Sequence, residues 1–290
     1  TQVGSSAASD VYKRQGLKHL SNDCVFHFFR RILQSNYSES TKDSIKIMYK
    51  YVAKYLMLEK VYKFCEVTSF PSLLIGLVLF ALGSFQALFI ASADVQQDEV
   101  YRIIYIHVPS AILSELIYIF LAICGLIFLV WKTKISTIFL NSAVPIGIAL
   151  TSLVLITGSL WGKPTWGTYW VWDARITSTF ILLLQYIGLY VLRTSFNSIS
   201  TSDTVISIFA IIGAINIPII KFSVNWWNTL HQGPSITSSG STIAGEFLTI
   251  LILMMISLLF LSYAIFARNI QSEILLRTRQ SKRLQGEING

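Results

Sequence analysis

The run SLLIGLVLFALGSFQALFIASA, from Ser72 to Ala93, contains no charged residue. The hydrocarbon core of a bilayer is about 30 Å thick, and an α-helix needs roughly 20 apolar residues to cross it. The whole chain has the same character, because 53% of its residues are hydrophobic, 13% are charged and the mean hydropathy is +0.59. The run therefore predicts a transmembrane helix.

Five further runs of similar character follow along the chain. They carry almost no charge, apart from Glu115 near the start of the second span, and the connections on the predicted inner side are short. We predict an all-α integral membrane protein that forms a six-transmembrane-helix bundle with antiparallel neighbours. The five runs are Ser110–Trp131, Ile138–Gly158, Ile176–Leu192, Thr204–Ile220 and Phe247–Ala267.

The distribution of Lys and Arg predicts the orientation of the bundle. Basic residues are concentrated before Phe64, around Lys132 and Lys134, and in the tail that begins at Arg268. Retained loops are rich in Lys and Arg, so both termini are expected on the inner side. The net charge of +8 is then explained by topology, and we predict no nucleic-acid partner.

The chain divides into three predicted regions. Residues 1–63 form a polar, basic N-terminal extension whose first fifteen or so residues have no periodicity and could be non-native. Its segment from Asp43 to Lys63 suits either a basic amphipathic helix on the inner membrane surface or an organellar targeting extension. Residues 64–267 form the six-span membrane domain, and residues 268–290 form a basic inner tail.

Six of the seven tryptophans lie in or beside two predicted outer loops. Amphipathic indole rings are common where a membrane meets water, so an aromatic belt is one interpretation. Four of them in a single loop, beside Gly162 and Gly167, instead favour a platform for a large, flat, apolar ligand. The six are Trp161, Trp166, Trp170 and Trp172 in the first loop, and Trp226 and Trp227 in the second.

Two histidines belong to the same predicted face. His107 lies in YIHVPSAI, where Pro109 suits the first position of the second helix, and His231 lies in the second tryptophan-containing loop. A positive helix end favours a neutral imidazole, which is the form that binds a metal. A histidine at a helix end can also be a simple hydrogen-bonding residue. Together, the two favour a bis-histidine iron site over zinc, for which further ligands are lacking.

Several charged residues lie on the predicted outer side. Each cation is either an interfacial anchor or a contact for a haem propionate. Asp173 is adjacent to the platform and suits fixing of the loop, and Glu115 is a candidate because an ionisable group inside a membrane is unusual. The outer cations are Arg102, Lys163, Arg175 and Lys221.

Three segments resemble those of a known family. WGTYWVWDARITS is similar to the "WWD" signature of haem-handling proteins, and HVPSA with KFSVNWWNTLHQG resembles the flanking segments of the CcmC family, over roughly Phe70 to Ala267. The resemblance implies haem b, bound as cargo on the outer face of a bacterial plasma membrane or mitochondrial inner membrane. It implies His107 and His231 as axial ligands and Trp161 to Asp173 as the platform.

The resemblance also implies partners: the haem chaperone CcmE, the small membrane subunit CcmD, and the ABC-type subunits CcmA and CcmB. No GxxxxGK[ST] phosphate-binding loop occurs in the sequence, as expected if the ATPase is a separate subunit. The expected function is haem binding and delivery for cytochrome c biogenesis, without catalysis. A b-type electron-transfer cytochrome and a haem-transport permease subunit are the alternatives. The candidate haem-binding residues are His107, His231, Trp161, Trp166, Trp170, Trp172, Asp173, Arg102, Arg175, Trp226 and Trp227.

Overall fold

The computed structural model describes residues 58–231, 233, 236–237, 240–241 and 243–289. The interpretations of the N-terminal extension up to residue 57 lie outside these residues. The described chain is almost entirely helical, with a π-helical turn at Gln86–Ile90, a 3-10 turn at Glu99–Ile103 and a two-stranded hairpin of β1 (Ile236–Thr237) and β2 (Gly240–Ser241). The α-helices are α1 (Leu58–Phe85), α2 (Ile104–Trp131), α3 (Lys134–Trp166), α4 (Ala174–Thr194), α5 (Ile199–Gly213), α6 (Asn216–Trp226) and α7 (Gly245–Asn289).

Six helical segments of the described chain are long and apolar enough to cross a membrane, which confirms the predicted six-span, all-α fold. The first is the least covered by protein, and large apolar side chains such as Phe70 and Phe89 are exposed on it, as lipid contact requires. The six segments are Leu58–Ile90, Glu99–Trp131, Lys134–Trp166, Ala174–Thr194, Ile199–Trp226 and Gly245–Gln280.

Two packing units make up the bundle. In the first, α1 runs along α7, and two glycines of α1 allow the close approach: a Cβ at Gly76 would lie 2.8 Å from Leu261 Cδ2, and one at Gly83 would lie 2.5 Å from Met254 Sδ. In the second, α2 packs between α3 and α5, and α4 lies against α3, α5 and α6. Tyr118 and Tyr186, both fully buried, meet edge to face in its core.

The apolar run of the fifth span predicted one continuous helix, but the structure shows two, α5 and α6. The span breaks between Gly213 and Asn216, close to Pro218, which has no N–H to donate to the preceding turn. The Asn216 side-chain amide donates to the carbonyl of Ser178 at 2.9 Å, so the break is tied to α4. The permease interpretation predicted a broken helix at the middle of the membrane, and this break lies near the middle of the segment Ile199–Trp226.

At the opposite end of the bundle from the tryptophan-rich loop, a buried ion-pair network joins four helices. Arg277 of α7 donates to both oxygens of Asp203 on α5, at 2.7 and 2.8 Å, and its Nε donates to Glu273 at 2.8 Å. Arg193 of α4 pairs with the other oxygen of Glu273, while Thr137 of α3 donates to Asp203 at 3.0 Å. Two cations therefore neutralise two buried carboxylates.

The helices extend further than the charge-free runs. The second helix begins at Ile104, so Pro109 lies inside it and not at its first position, and His107 belongs to its first turn. The third helix continues to Trp166, so Trp161 and Trp166 are helical residues rather than loop residues. The amide of Gly167, in the left-handed conformation at φ 80°, then closes the helix by donating to the Lys163 carbonyl at 3.0 Å.

Candidate functional site

A cavity of about 510 Å³ lies at the tryptophan-rich end of the bundle. Both candidate histidines line it, although they are 124 positions apart in the sequence (231 − 107). The lining combines aromatic, charged and small side chains, and it includes His107, His231, Trp161, Trp166, Tyr169, Trp170, Arg175, Glu115, Lys221, Tyr101, Gln97 and Gly158.

His107 is held by α3. Its Nδ1 is hydrogen bonded to the Thr157 hydroxyl at 2.9 Å, and its ring meets Trp161 edge to face, with centroids 5.7 Å apart. A Cβ at Gly158 would lie 3.0 Å from Cε1 of His107, so glycine leaves the room that the imidazole occupies. His107 is thus a packed residue in the first turn of α2, whereas the sequence had placed it just before the start of that helix.

Trp161 is itself fixed from the other side. Its indole N–H donates to the Gln97 side-chain carbonyl at 2.6 Å, and Tyr101 contacts it edge to face at 6.1 Å. Gln97 belongs to a short turn in which the Asp94 carboxylate accepts from the backbone amides of Gln96 and Gln97. The connection between the first two spans therefore covers the part of the cavity that His107 and Trp161 line.

His231 lines the same cavity close to Trp166, with ring centroids 6.5 Å apart. Asp173 connects its loop to the tryptophan-rich loop. One Asp173 oxygen accepts from the backbone N–H of Ile176 at 2.8 Å and caps α4, and the other accepts from the backbone N–H of Leu230 at 3.3 Å. Asp173 lies outside the cavity lining, so the contacts support the fixing role and not direct ligand contact.

Trp170 and Trp172 differ in environment. Trp170 lines the cavity, and its indole N–H is buried with no hydrogen-bond partner among the described residues. Trp172 packs edge to face on Trp170 at 5.3 Å, but it is 74% exposed and does not reach the lining. Trp170 therefore belongs to the cavity, and its neighbour Trp172 lies outside it.

The second tryptophan pair lies away from the cavity. Trp226 stacks on Phe222 at 5.4 Å and meets Trp227 edge to face at 5.8 Å, and both indoles are more than half exposed. Neither residue is in the lining. Their position at the end of α6 suits the interfacial belt that was the alternative interpretation of the tryptophans.

The charged residues divide in the same way. Arg175, Lys221 and Glu115 line the cavity, and Nε of Arg175 is buried with no hydrogen-bond partner within the described chain. Arg102 instead pairs with Glu99 and donates to the Ala87 carbonyl. Lys163 also lies outside the lining, where it donates to the Gly167 carbonyl and lies over the Tyr169 ring. Two cations and two acids, Glu115 and the turn carboxylate of Asp94, thus line the cavity.

The donor atoms available for a metal are two imidazoles. Among the residues that the structure describes, no three His, Cys, Asp or Glu side chains converge on one point. A tetrahedral zinc site takes four protein ligands, or three and a water, whereas haem iron needs only two axial ligands. The donor set therefore suits haem iron better than zinc.

Gln97, Thr157, Gly158 and Tyr169 contribute to the site but were not among the candidate residues. Their residue types are common in membrane helices and turns, and their contacts join separate spans. Thr157, Gly158 and Trp161 do share the spacing of one helix face, and the stretch TGSLW could have indicated that face. No signal in the sequence indicated Gln97.

Fold and cavity together define a class: a six-span membrane protein with an aromatic cavity that carries two imidazoles. The family model for Heme exporter protein C (CcmC) matches residues 37–285, and the chain belongs to this family. The "Putative cytochrome c biosynthesis ccmC-like mitochondrial protein" of Marchantia polymorpha is 44% identical over 226 residues, which are 77% of this chain and 93% of the relative.

Two bacterial relatives are similar as well. "Heme exporter protein C" of Bradyrhizobium diazoefficiens is 42% identical over 205 residues, covering 70% of this chain and 78% of the relative. The Escherichia coli protein of the same name is 46% identical over 158 residues, covering 54% of this chain and 64% of the relative. Relatives therefore occur in bacteria and in a mitochondrial system.

Proposed function

We propose that this protein binds haem in the cavity between α2, α3 and the loop of His231, and delivers it for cytochrome c biogenesis. The observation that carries the proposal is the meeting of His107, His231, Trp166 and Trp170 in one cavity. Two imidazoles can supply both axial ligands of haem iron, and indole rings offer apolar surface to a porphyrin. The names of the relatives, which refer to haem export and cytochrome c biosynthesis, agree with this assignment.

Haem propionates need cationic or N–H donors in a partly desolvated setting. Arg175 supports this role, because its Nε is buried without a hydrogen-bond partner in the described chain and the residue lines the cavity. Lys221 provides a second cation, and Glu115 offsets one of the two positive charges. We assign Arg175 and Lys221 to the propionates, and Arg102 to anchoring of the Glu99 turn.

The protein acts by ligation and positioning, with haem as cargo and without a catalytic group of its own. A carrier must release what it binds, so a cavity formed partly by loop residues suits it better than one enclosed by facing helices. His231 and Trp170 belong to loops, which distinguishes this site from the insulated site of a b-type electron-transfer cytochrome. The receiver in our proposal is the haem chaperone CcmE, and CcmD, CcmA and CcmB complete the assembly.

The cavity faces the outer side of the bacterial plasma membrane or mitochondrial inner membrane in this proposal, with both termini inside. The distribution of Lys and Arg supports this orientation. The ion-pair network of Asp203, Glu273 and Arg277 then lies at the inner end of the bundle.

The test uses the full chain, purified in detergent with haem and mixed with the haem-free chaperone. The native chain should retain haem and transfer it, whereas His107→Ala and His231→Ala should each lose most of it during purification. Arg279→Met, an exposed change at the other end of the bundle, is the control and should behave as the native chain. Normal haem content in both histidine variants would overturn the ligand assignment, and retention without transfer would overturn the delivery role.

A further inference from the structure

Three residues of α3 surround the imidazole of His107. Thr157, Gly158 and Trp161 lie at positions i, i+1 and i+4 of the helix, so they share one face. All three lie against the same ring. The Thr157 hydroxyl is hydrogen bonded to Nδ1, Gly158 leaves space beside Cε1, and the Trp161 indole contacts the ring edge to face. We name these three residues the imidazole cradle.

The hydrogen bonds of Thr157 determine the direction of the bond to His107. A threonine hydroxyl has one proton, and that of Thr157 is directed to the Leu153 carbonyl at 2.6 Å, with the Val154 carbonyl at 3.3 Å as its other backbone acceptor. A carbonyl can only accept, so the hydroxyl proton is committed to the helix backbone. The Thr157 oxygen must then accept from His107, and Nδ1 must carry the proton.

This bond determines which nitrogen is left for a metal. A neutral imidazole has one N–H and one lone pair, and a proton on Nδ1 leaves the lone pair on Nε2. The edge of the ring that carries Nδ1 and Cε1 faces α3, because a Cβ at Gly158 would lie 3.0 Å from Cε1 and 3.6 Å from Nδ1. Proton position and ring orientation are therefore set by the same helix face.

We propose that the imidazole cradle, and Thr157 above all, is the positioning element that presents Nε2 of His107 as a ready ligand. This inference rests on the proposed haem-binding function for its purpose, but the tautomer itself is a property of the chain without haem. A metal-bound histidine commonly donates its other N–H to a nearby acceptor, and loss of that acceptor lowers metal affinity by about 10- to 100-fold. Thr157 is that acceptor here.

The first test is nitrogen NMR of the haem-free, histidine-labelled protein in detergent, with the His107 signals assigned by their absence from His107→Ala. The native chain should show Nδ1–H and a bare Nε2 at His107. A ring that is protonated on Nε2 instead would overturn the inference, whatever the protein does with haem. If the tautomer is as proposed but His107→Ala retains haem normally, the proposed function fails while the tautomer assignment stands.

The second test compares Thr157→Val with Thr157→Ser. Valine has the shape of threonine without its hydroxyl, so the His107 signals should shift towards a mixture of tautomers and haem affinity should fall by about 10- to 100-fold. Serine restores the acceptor and should restore both readouts to nearly native values. A purely structural role for Thr157 predicts a native tautomer in both variants, and that result would also overturn the proposal.

Gly158→Ala tests the steric side of the cradle without removing any hydrogen-bonding group. An added methyl should displace the ring, change the visible spectrum of the bound haem and weaken its retention. Gly245→Ala is the matched control, since a Cβ there meets nothing within 4 Å. A native spectrum and retention in Gly158→Ala would show that the close contact does not position the ring.

Discussion

Replacing Arg277 with methionine should strongly destabilise the bundle. The guanidinium forms a two-pronged pair with Asp203 and a third bond with Glu273, and the Asp203 and Glu273 side chains are only 6% exposed. Methionine matches the apolar stem but leaves Asp203 with only the Thr137 hydroxyl as a hydrogen-bond donor among the described side chains. An uncompensated buried charge is the consequence.

The expected magnitude follows from that burial. Removing one partner of a buried ion pair costs about 3–5 kcal/mol, because the remaining charge has lost its solvent and its partner together. For a domain of this size, each kcal/mol of lost stability lowers the melting temperature by roughly 2–4 °C, so the melting temperature of Arg277→Met should fall by roughly 6–20 °C. The paired change Asp203→Asn with Arg277→Met should cost less than the sum of the two single changes.

The chain offers its own reporter for this measurement. Cys65 and Cys124 are buried and reduced, so a dye that fluoresces on reaction with thiols reports their exposure during heating. Cys24 is replaced by serine in all variants to remove its background. Arg279→Met is the matched control, being the same change on an exposed side chain two residues away. If Arg277→Met melts within a degree or two of that control, the ion-pair network does not hold the helices together.

Two further predictions concern the site. Trp170→Leu should reduce haem retention after purification clearly more than Trp172→Leu does, because Trp170 lines the cavity and Trp172 is 74% exposed. Equal losses in the two variants would mean that the cavity lined by Trp170 is not where haem binds. Asp173→Ala should lower the unfolding free energy by about 0.5–2 kcal/mol through loss of the helix cap, and should weaken haem retention by freeing the loop of His231. Asn has one side-chain oxygen, so Asp173→Asn keeps the cap on Ile176 but loses the bond to Leu230. It should therefore melt closer to the native chain than Asp173→Ala does, and a thermal melt of both variants checks this.

The sequence was sufficient for the six spans because lipid imposes a simple requirement of length and apolarity, which Ser72–Ala93 and the other runs meet. Helix ends were less predictable. The apolar run of the third span ended at Gly158 and suggested a loop from there, yet α3 continues to Trp166 and ends only where Gly167 adopts the left-handed conformation. Two tryptophans thereby became helical residues with fixed directions.

Contacts between distant positions were beyond prediction from a single sequence. Thr157 and His107 are 50 positions apart, and Arg277 and Asp203 are 74 apart. Nothing local identifies such partners, because the packing of separate helices brings them together. Composition could favour a tryptophan platform, but only the fold separates Trp170, which lines the cavity, from Trp226 and Trp227, which do not.

The most direct measurement is electron paramagnetic resonance of the ferric haem bound to the purified full chain. The account predicts a low-spin signal typical of two imidazole ligands in the native chain, lost in His107→Gly and in His231→Gly, and restored in each by added imidazole. A native low-spin signal that persists in both variants without imidazole would mean that the iron takes its ligands from elsewhere.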